Sequence, residues 1–319
     1  MLTNTIKYKE SPVRIDAIHR ATLVAAIVIV PTVAAVPALA ETMTIEHASG
    51  STEVEANPET VIVYDLSALD TLDALGVRVT AVPDTPMPSS LSEFSSDDYE
   101  KVGSLFEPDF EAVNALQPDL IIVAGRSQAK YDDLSKIAPT IDLTIANDAF
   151  LEGVEGNARL LGELFGKQEE AEAEISALET MLETLQGLTE DAGTALVLLT
   201  TGGKVSAFGP GSRFGDVYDL YGFEPADDTL DVGTHGQAVS FEYIMEQNPD
   251  WLYVLDRDAA IGREGEAAQQ LLDNELVART KAWQNDQVIY ADGGLLYLAS
   301  GGVRAQKALA EQVLEALKD

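Results

Sequence analysis

Two stretches decide how this chain is read. The first is Phe110-Glu111, six residues, Pro118-Asp119-Leu120-Ile121-Ile122-Val123, two residues and Arg126; the second is Phe241-Glu242, six residues, Pro249-Asp250-Trp251-Leu252-Tyr253-Val254, two residues and Arg257. Every matched pair, from Phe110–Phe241 to Arg126–Arg257, is offset by 131 residues. Solenoid repeats run to about 20–50 residues, so a period this long is a domain and not a stacking unit. The spacing predicts two similar α/β lobes, each built on one helix–turn–strand piece with an arginine just past the strand. Ligands of open α/β sheets lie beyond the carboxyl ends of the strands. Arg126 and Arg257 are thereby placed to face each other across a cleft.

Between the copies the pattern changes. Ala171, Ile175, Leu178, Leu182 and Leu185 are spaced alternately four and three apart, with glutamates and glutamines on the other face. That is the signature of one amphipathic helix from Lys167 to Gln186, about 30 Å long at ~1.5 Å per residue. It carries no strand signal and reads as a stiff connector between lobes. The expected division is 1–40 export segment, 41–166 N-terminal lobe, 167–190 connecting helix and 191–319 C-terminal lobe.

In the N-terminal lobe, 42–54 reads as a hairpin, Val61–Tyr64 and Val79–Val82 as strands, and Ala68–Leu75 as a helix closed by Gly76. Residues 83–102, with Pro83, Pro86 and Pro88, read as a loop walling the cleft. A short helix Tyr131–Ile137 and a strand Thr140–Ile145 follow. The C-terminal lobe opens with the apolar strand Thr194–Thr200, turns at Gly202-Gly203 and resumes at Val205–Phe208. Gly209–Arg213 precedes a helix to Tyr221, and Asp231–Gly236 is a loop bearing His235. After the second copy come a helix near Ala267–Leu272, a strand Val288–Tyr290, a loop Gly293–Gly302 bearing Tyr297, and a terminal helix from Val303.

The chain has 319 residues, room for two lobes with large cores. With 54 acidic against 20 basic residues its net charge is −34, which argues against nucleic acid or an anionic membrane surface as partner. It contains no cysteine, which excludes thiol catalysis, disulfides, thiolate metal sites and a cysteine-linked lipid anchor. Lys7, Lys9, Arg14 and Arg20 precede an apolar run from Ala21 ending in Ala38-Leu39-Ala40. A basic region, an apolar region and a small-x-small ending form a secretory signal, expected to be cleaved after Ala40 with export to a periplasm.

No catalytic motif appears: there is no Gly-x-Ser-x-Gly, phosphate loop or His-Glu-x-x-His. Arg126, Arg213 and Arg257 lie in expected loops at or after strand ends. A forked guanidinium binds oxyanions bidentately and stacks on aromatic rings, so three of them converging would take a polyanion. The competing reading for each is an ordinary salt bridge, for Arg257 to Asp256 or Asp258. His235 can be a loop hydrogen-bonder and Tyr297 a rim aromatic; together an imidazole and a phenolate can complete the shell of a ferric ion otherwise held by ligand oxygens. Glu111 and Glu242 occupy equivalent places, either as first-turn carboxylates favoured by the helix dipole or as two contact points for a basic partner.

At these residues the sequence resembles the substrate-binding proteins of ABC importers for iron–siderophore complexes, and among them receptors for catecholate siderophores of the enterobactin-fragment and petrobactin type. The matching motifs are Pro118–Arg126, Gly211-Ser212-Arg213-Phe214-Gly215, Thr234-His235-Gly236, Val254-Leu255-Asp256-Arg257 and Tyr297-Leu298-Ala299-Ser300-Gly301. The resemblance implies two α/β lobes joined by a long rigid helix, the helical-backbone form of a periplasmic binding protein. It implies that Arg126, Arg213 and Arg257 hold the anionic complex and that His235 and Tyr297 can ligate its iron. It further implies that Glu111 and Glu242 meet arginines of an inner-membrane permease. No intrinsic cofactor, no enzymatic activity and a monomer are expected, with the ferric siderophore as transported ligand. The alternatives are a haem or cobalamin-like receptor on the same scaffold and, in another class, a secreted hydrolase using paired carboxylates.

Overall fold

The structure is a computed structural model that describes residues 42–318 apart from Thr234 and Glu266. The expected export segment and its cleavage site lie outside these residues. Among them, no helix is long and apolar enough to cross a membrane.

The first lobe opens with an antiparallel hairpin of β1 (Thr42–His47) and β2 (Gly50–Glu55). There follow β3 (Val61–Val63), α1 (Leu66–Ala74), β4 (Ala81–Val82), β5 (Glu100–Lys101), α2 (Phe110–Leu116), β6 (Leu120–Val123), α3 (Tyr131–Leu134) and β7 (Thr140–Asp142). The sheet runs β5-β4-β3-β6-β7 with every pairing parallel. Val61–Val63 and Leu120–Val123 are buried throughout, as strands covered by helices on both faces must be. Residues 83–102 are not all loop: they hold a 3₁₀ turn, Ser89–Ser95, and the edge strand β5. Pro86 and Pro88 do wall the space between lobes, since a Cβ on Gly262 would touch Pro86 and one on Gly294 would touch Pro88.

Two helices, not one, separate the sheets: α4 (Phe150–Leu164) and α5 (Gln168–Thr189). On α5 the buried residues include Ala171, Ile175, Leu178, Leu182 and Leu185, the apolar series of the sequence. Its 22 residues span about 33 Å.

The second lobe contains β8 (Thr194–Thr201), β9 (Lys204–Phe208), α6 (Asp216–Asp219), β10 (Glu224–Pro225), β11 (Gln237–Val239), α7 (Phe241–Gln247), β12 (Trp251–Asp256), α8 (Arg257–Ala260), α9 (Ala268–Leu272), α10 (Lys281–Gln284), β13 (Val288–Tyr290) and α11 (Val303–Ala316). Its sheet is ordered β11-β9-β8-β12-β13, with β10 beside β8. β12 is parallel to both β8 and β13, whereas β9 turns back antiparallel. Gly202 and Gly203, at φ of 55° and 71°, form that turn. Two consecutive residues of positive φ make a hairpin twist correctly, which explains the glycine pair.

The terminal helix α11 packs on α5 and α1 as well as on its own lobe. Its amino end is capped from the first lobe. Ser67 Oγ accepts from the Gly301 N–H at 3.1 Å, Thr71 Oγ1 from Val303 at 3.3 Å and Asp70 Oδ2 from Ala305 at 2.8 Å. Asp70 is fully buried and also pairs with Arg304. The lobes are thus held by two helices and a set of buried hydrogen bonds.

Candidate functional site

The repeated stretch folds the same way twice, down to its caps. Asp109 caps α2 and Ser240 caps α7, each side chain accepting first-turn N–H groups. Gln117 and Asn248 then end the two helices in the left-handed region, at φ of 48° and 45°. Such a residue closes a helix and turns the chain straight into the next strand. Asp119 accepts N–H bonds from Glu59 and Thr60, and Asp250 does so from Thr194, so each carboxylate ties the repeat to the neighbouring strand. Each repeat strand lies between two parallel partners, β6 between β3 and β7, and β12 between β8 and β13.

Arg126 follows β6 on a turn braced from below. Ser127, fully buried, bonds both ways with the Ala124 backbone, and the Gly125 N–H donates to Thr144 Oγ1 at 2.9 Å. Thr144 donates in turn to Asp142, whose other oxygen accepts from Gln128 and Ser49. Arg257 is not in a loop. β12 runs two residues longer than β6, and Arg257 is the first residue of the short helix α8, capped by Asp256. Arg213 sits on the turn before α6, where Ser212 Oγ donates to the Gly209 carbonyl and the Gly211 N–H donates to Asp219. Tyr297 also departs from the expected loop, lying in a π-helical turn, Leu295–Ala299. That turn buries Leu295, Leu296, Leu298 and Ala299 and leaves Tyr297 half-buried toward the cleft. Wide turns of this kind recur at functional sites because they re-aim a side chain.

The three arginines converge on Tyr297. Their guanidinium carbons lie 5.1 Å (Arg126), 4.6 Å (Arg213) and 5.4 Å (Arg257) from its ring centroid. Arg126 Nη2 and Arg213 Nη2 both donate to the Tyr297 carbonyl, at 2.5 and 3.0 Å. Arg257 Nε donates to the Tyr297 hydroxyl at 2.9 Å. Arg213 also stacks on Phe214, 4.8 Å from its centroid. Among the described residues none of the three has a carboxylate ion-pair partner. The carboxylates beside Arg257 are committed elsewhere: Asp256 accepts from Ala259 and Ala268, and Asp258 from Thr201 and Gly202.

Electrostatics follow from this crowding. Burial lowers the pKa of Arg213, and the charges of Arg126 and Arg257 lower it further. Burial pushes the Tyr297 phenol up, but the Arg257 hydrogen bond and the three positive charges outweigh it, leaving the phenol below its ordinary value. Asp65, at the mouth of the same space, is pushed up by burial, opposed by the Ala68 N–H and the Arg126 charge. A cavity of about 340 Å³ opens over Arg126, Arg213 and Tyr297, lined also by Asp65 and Thr144 from the first lobe and Ser300 from the second; Arg257 reaches it only through its hydrogen bond to the Tyr297 hydroxyl. A second, of about 460 Å³, shares Arg213, Asn147 and Phe150. Both are of small-molecule size. The arrangement offers half-buried positive charge with no carboxylate ion pair among the described residues, and aromatic faces, suited to an anion with delocalised or ring-borne oxygens.

His235 stands apart, exposed on its loop and outside the arginine–tyrosine contacts; Thr234 of its motif lies outside the described residues. Glu111 and Glu242 are exposed in the first turns of α2 and α7. Glu242 is held below the ordinary carboxylate range by its own N–H and the Ser240 hydroxyl. Asn147, Phe150 and Thr144 line the cavities without having been singled out. The signal was available for Asn147 and Phe150, which follow the expected strand Thr140–Ile145; Thr144 was hidden because that strand ends at Asp142, three residues earlier than expected.

A family description, periplasmic binding protein, matches residues 61–294. The chain is 38% identical over 283 residues to the petrobactin-binding protein YclQ of Bacillus subtilis, covering 87% of this chain and 89% of that one. The crystal structure of YclQ superposes with a TM-score of 0.85, covering 88% of this chain and 99% of YclQ. The periplasmic catecholate-siderophore binding protein VctP of Vibrio cholerae, 36% identical, superposes with a TM-score of 0.80, covering 87% and 99% of the two chains. The ferric-anguibactin-binding protein FatB of Vibrio anguillarum is 31% identical over 277 residues, 85% of this chain and 86% of FatB. The chain belongs to the periplasmic binding protein family.

Proposed function

We propose that this protein is a periplasmic receptor that captures a ferric siderophore, of the catecholate type, and delivers it to an ABC importer for iron uptake. It works as a monomer and catalyses no reaction. The observation that carries this reading is the trio of guanidiniums, without carboxylate ion-pair partners among the described residues, stacked around Tyr297 between the lobes. Deprotonated catecholate oxygens supply the missing negative charge, and catechol rings supply faces for guanidinium stacking. Arg126, Arg213 and Arg257 hold the complex. His235 and Tyr297 supply an imidazole and a phenolate to iron positions the siderophore leaves open. Glu111 and Glu242, one on each lobe, contact basic residues of the permease. Cleavage after Ala40 releases the chain, with lobes 41–166 and 191–319 joined by helix 167–190.

Titration of the purified protein with ferric tris(2,3-dihydroxybenzoate) is expected to quench tryptophan fluorescence with saturation, and Arg257→Ala to weaken binding at least tenfold. Absence of saturable quenching with any ferric catecholate sinks the proposal. A Soret band growing in on titration with haem assigns the cleft to the other ligand class.

A further inference from the structure

Three like charges gathered around one side chain repel one another, so something must fix the backbone segments that carry them. The Arg213 and Tyr297 segments come from distant parts of the second lobe, and one buried side chain touches both. Gln306, on α11, has no solvent exposure. Its Nε2 donates to Asp216 Oδ2 at 3.1 Å and to the Ser300 carbonyl at 2.8 Å, and its Oε1 accepts from the Tyr221 hydroxyl at 3.4 Å. Asp216 is three residues past Arg213, and Ser300 is three residues past Tyr297. Both amide protons are therefore spent on tying the arginine turn to the tyrosine turn from behind.

We propose that Gln306 is a positioning residue for ligand capture. Without its amide, the Arg213 turn and the Tyr297 turn are free to part under the repulsion of Arg126 and Arg257, and the anion site loses its preorganisation. No other amino acid supplies two donors and an acceptor at this reach. A buried group that fixes the groups touching the ligand, without touching it, is what sub-ångström placement of charged contacts requires. The inference rests on the cleft being the ligand site, but one of its tests needs no ligand.

Gln306→Met keeps the volume and removes all three hydrogen bonds. In its ligand-free crystal structure, Arg213 Nη2 is expected to leave the Tyr297 carbonyl by more than about 1 Å, the length at which a hydrogen bond of this kind is lost. Retention of the 3.0 Å contact overturns the proposal. In solution, Gln306→Met is expected to raise the Kd for ferric tris(2,3-dihydroxybenzoate) at least tenfold. Leu309→Ala, a cavity in the same helix, controls for lost stability alone and is expected to leave Kd within twofold. Equal weakening by both variants assigns Gln306 to general stability and overturns the positioning role. Gln306→Glu adds a signature that stability alone does not give. Only its protonated form donates to the Ser300 carbonyl, and since the facing Asp216 carboxyl titrates in the same range in both proteins, affinity is read relative to wild type and that ratio is expected to fall as pH rises from 6.5 to 8.5. A ratio constant across that range counts against the proposal. Failure of the wild type to bind the probe speaks to the functional reading, while the ligand-free structure still decides the role of Gln306.

Discussion

At the scale of single residues, the site is arranged against stability. Arg213 is half-buried, its pKa is lowered first by burial and then by neighbouring positive charge, and no carboxylate among the described residues offsets it. Arg213→Met keeps the stem over Phe214 and removes the charge. It is expected to raise the stability of the ligand-free protein by about 0.5–2 kcal/mol while abolishing tight capture, the usual exchange between binding and stability. Denaturant unfolding without ligand measures this, and a loss of stability would show that the guanidinium is a net structural asset. Asp216 behaves similarly through pH. Burial pushes its carboxyl from the ordinary 3.8 to about 7, against the Gln306 hydrogen bond. The native state therefore keeps this proton where the unfolded chain has lost it, and the stability it contributes is full below about pH 4 and lost as pH rises through about 7. Asp216→Asn is expected to match wild type at low pH and gain on it up to neutrality, by at most about 4 kcal/mol. Thermal unfolding at several pH values reads the gap. Sequence disclosed the three arginines and Tyr297 because they punctuate strand ends and glycine-rich turns. It did not disclose Gln306 or Asp216, whose helical positions look ordinary until the fold brings them together.

At the scale of elements, the joint between α1 and α11 is the most constrained contact. Gly302 lies so close to α1 that an added Cβ would stand 2.4 Å from Asp70 Oδ2. Gly302→Ala must displace a fully buried carboxylate that binds Arg304 and the Ala305 N–H. It is expected to cost about 3–5 kcal/mol, the range for breaking a buried ion pair, whereas Gly187→Ala, in open space on α5, costs nothing or stabilises. Urea unfolding of both variants checks the contrast. The elements best read from sequence are those with period and length. The α5 series matches the buried face residue by residue, and the 131-residue repeat extends to caps that sequence comparison alone did not mark. Helix α4 was missed because Gly153, Gly156 and Gly162 disguise it. Two of those glycines are there for contact: a Cβ on Gly153 would meet Ile145 at 2.5 Å and one on Gly162 would meet Ala171 at 2.7 Å. Strand β5 has two residues, too few to show any period. The π-turn at Tyr297 has no sequence signature, since its apolar residues fit a loop packed on a core equally well.

At the scale of the whole molecule, an anion receptor with a net charge of −34 poses an electrostatic conflict. An approaching ferric catecholate is repelled by the surface before it is attracted by the cleft. The two fields differ in reach. The arginines act within a few ångströms in a half-buried space, where salt screens them little, whereas the surface charge is spread over the protein and felt through water. The Debye length shrinks from about 30 Å at 10 mM salt to about 8 Å at 150 mM. Raising salt should therefore remove the repulsion first. The association rate constant is expected to rise severalfold over this range, opposite in sign to electrostatically steered capture, while the dissociation rate stays nearly constant. Stopped-flow quenching at several salt concentrations measures both. An association rate that falls with salt would mean that the cleft focuses the arginine field far into solvent, so that the lobes, not the surface average, set the potential a ligand meets. The same balance applies to the bound anion: the half-buried arginines hold it at short range while the surface charge, felt through water, opposes it, so affinity rests on the contacts of the cleft and not on the net charge.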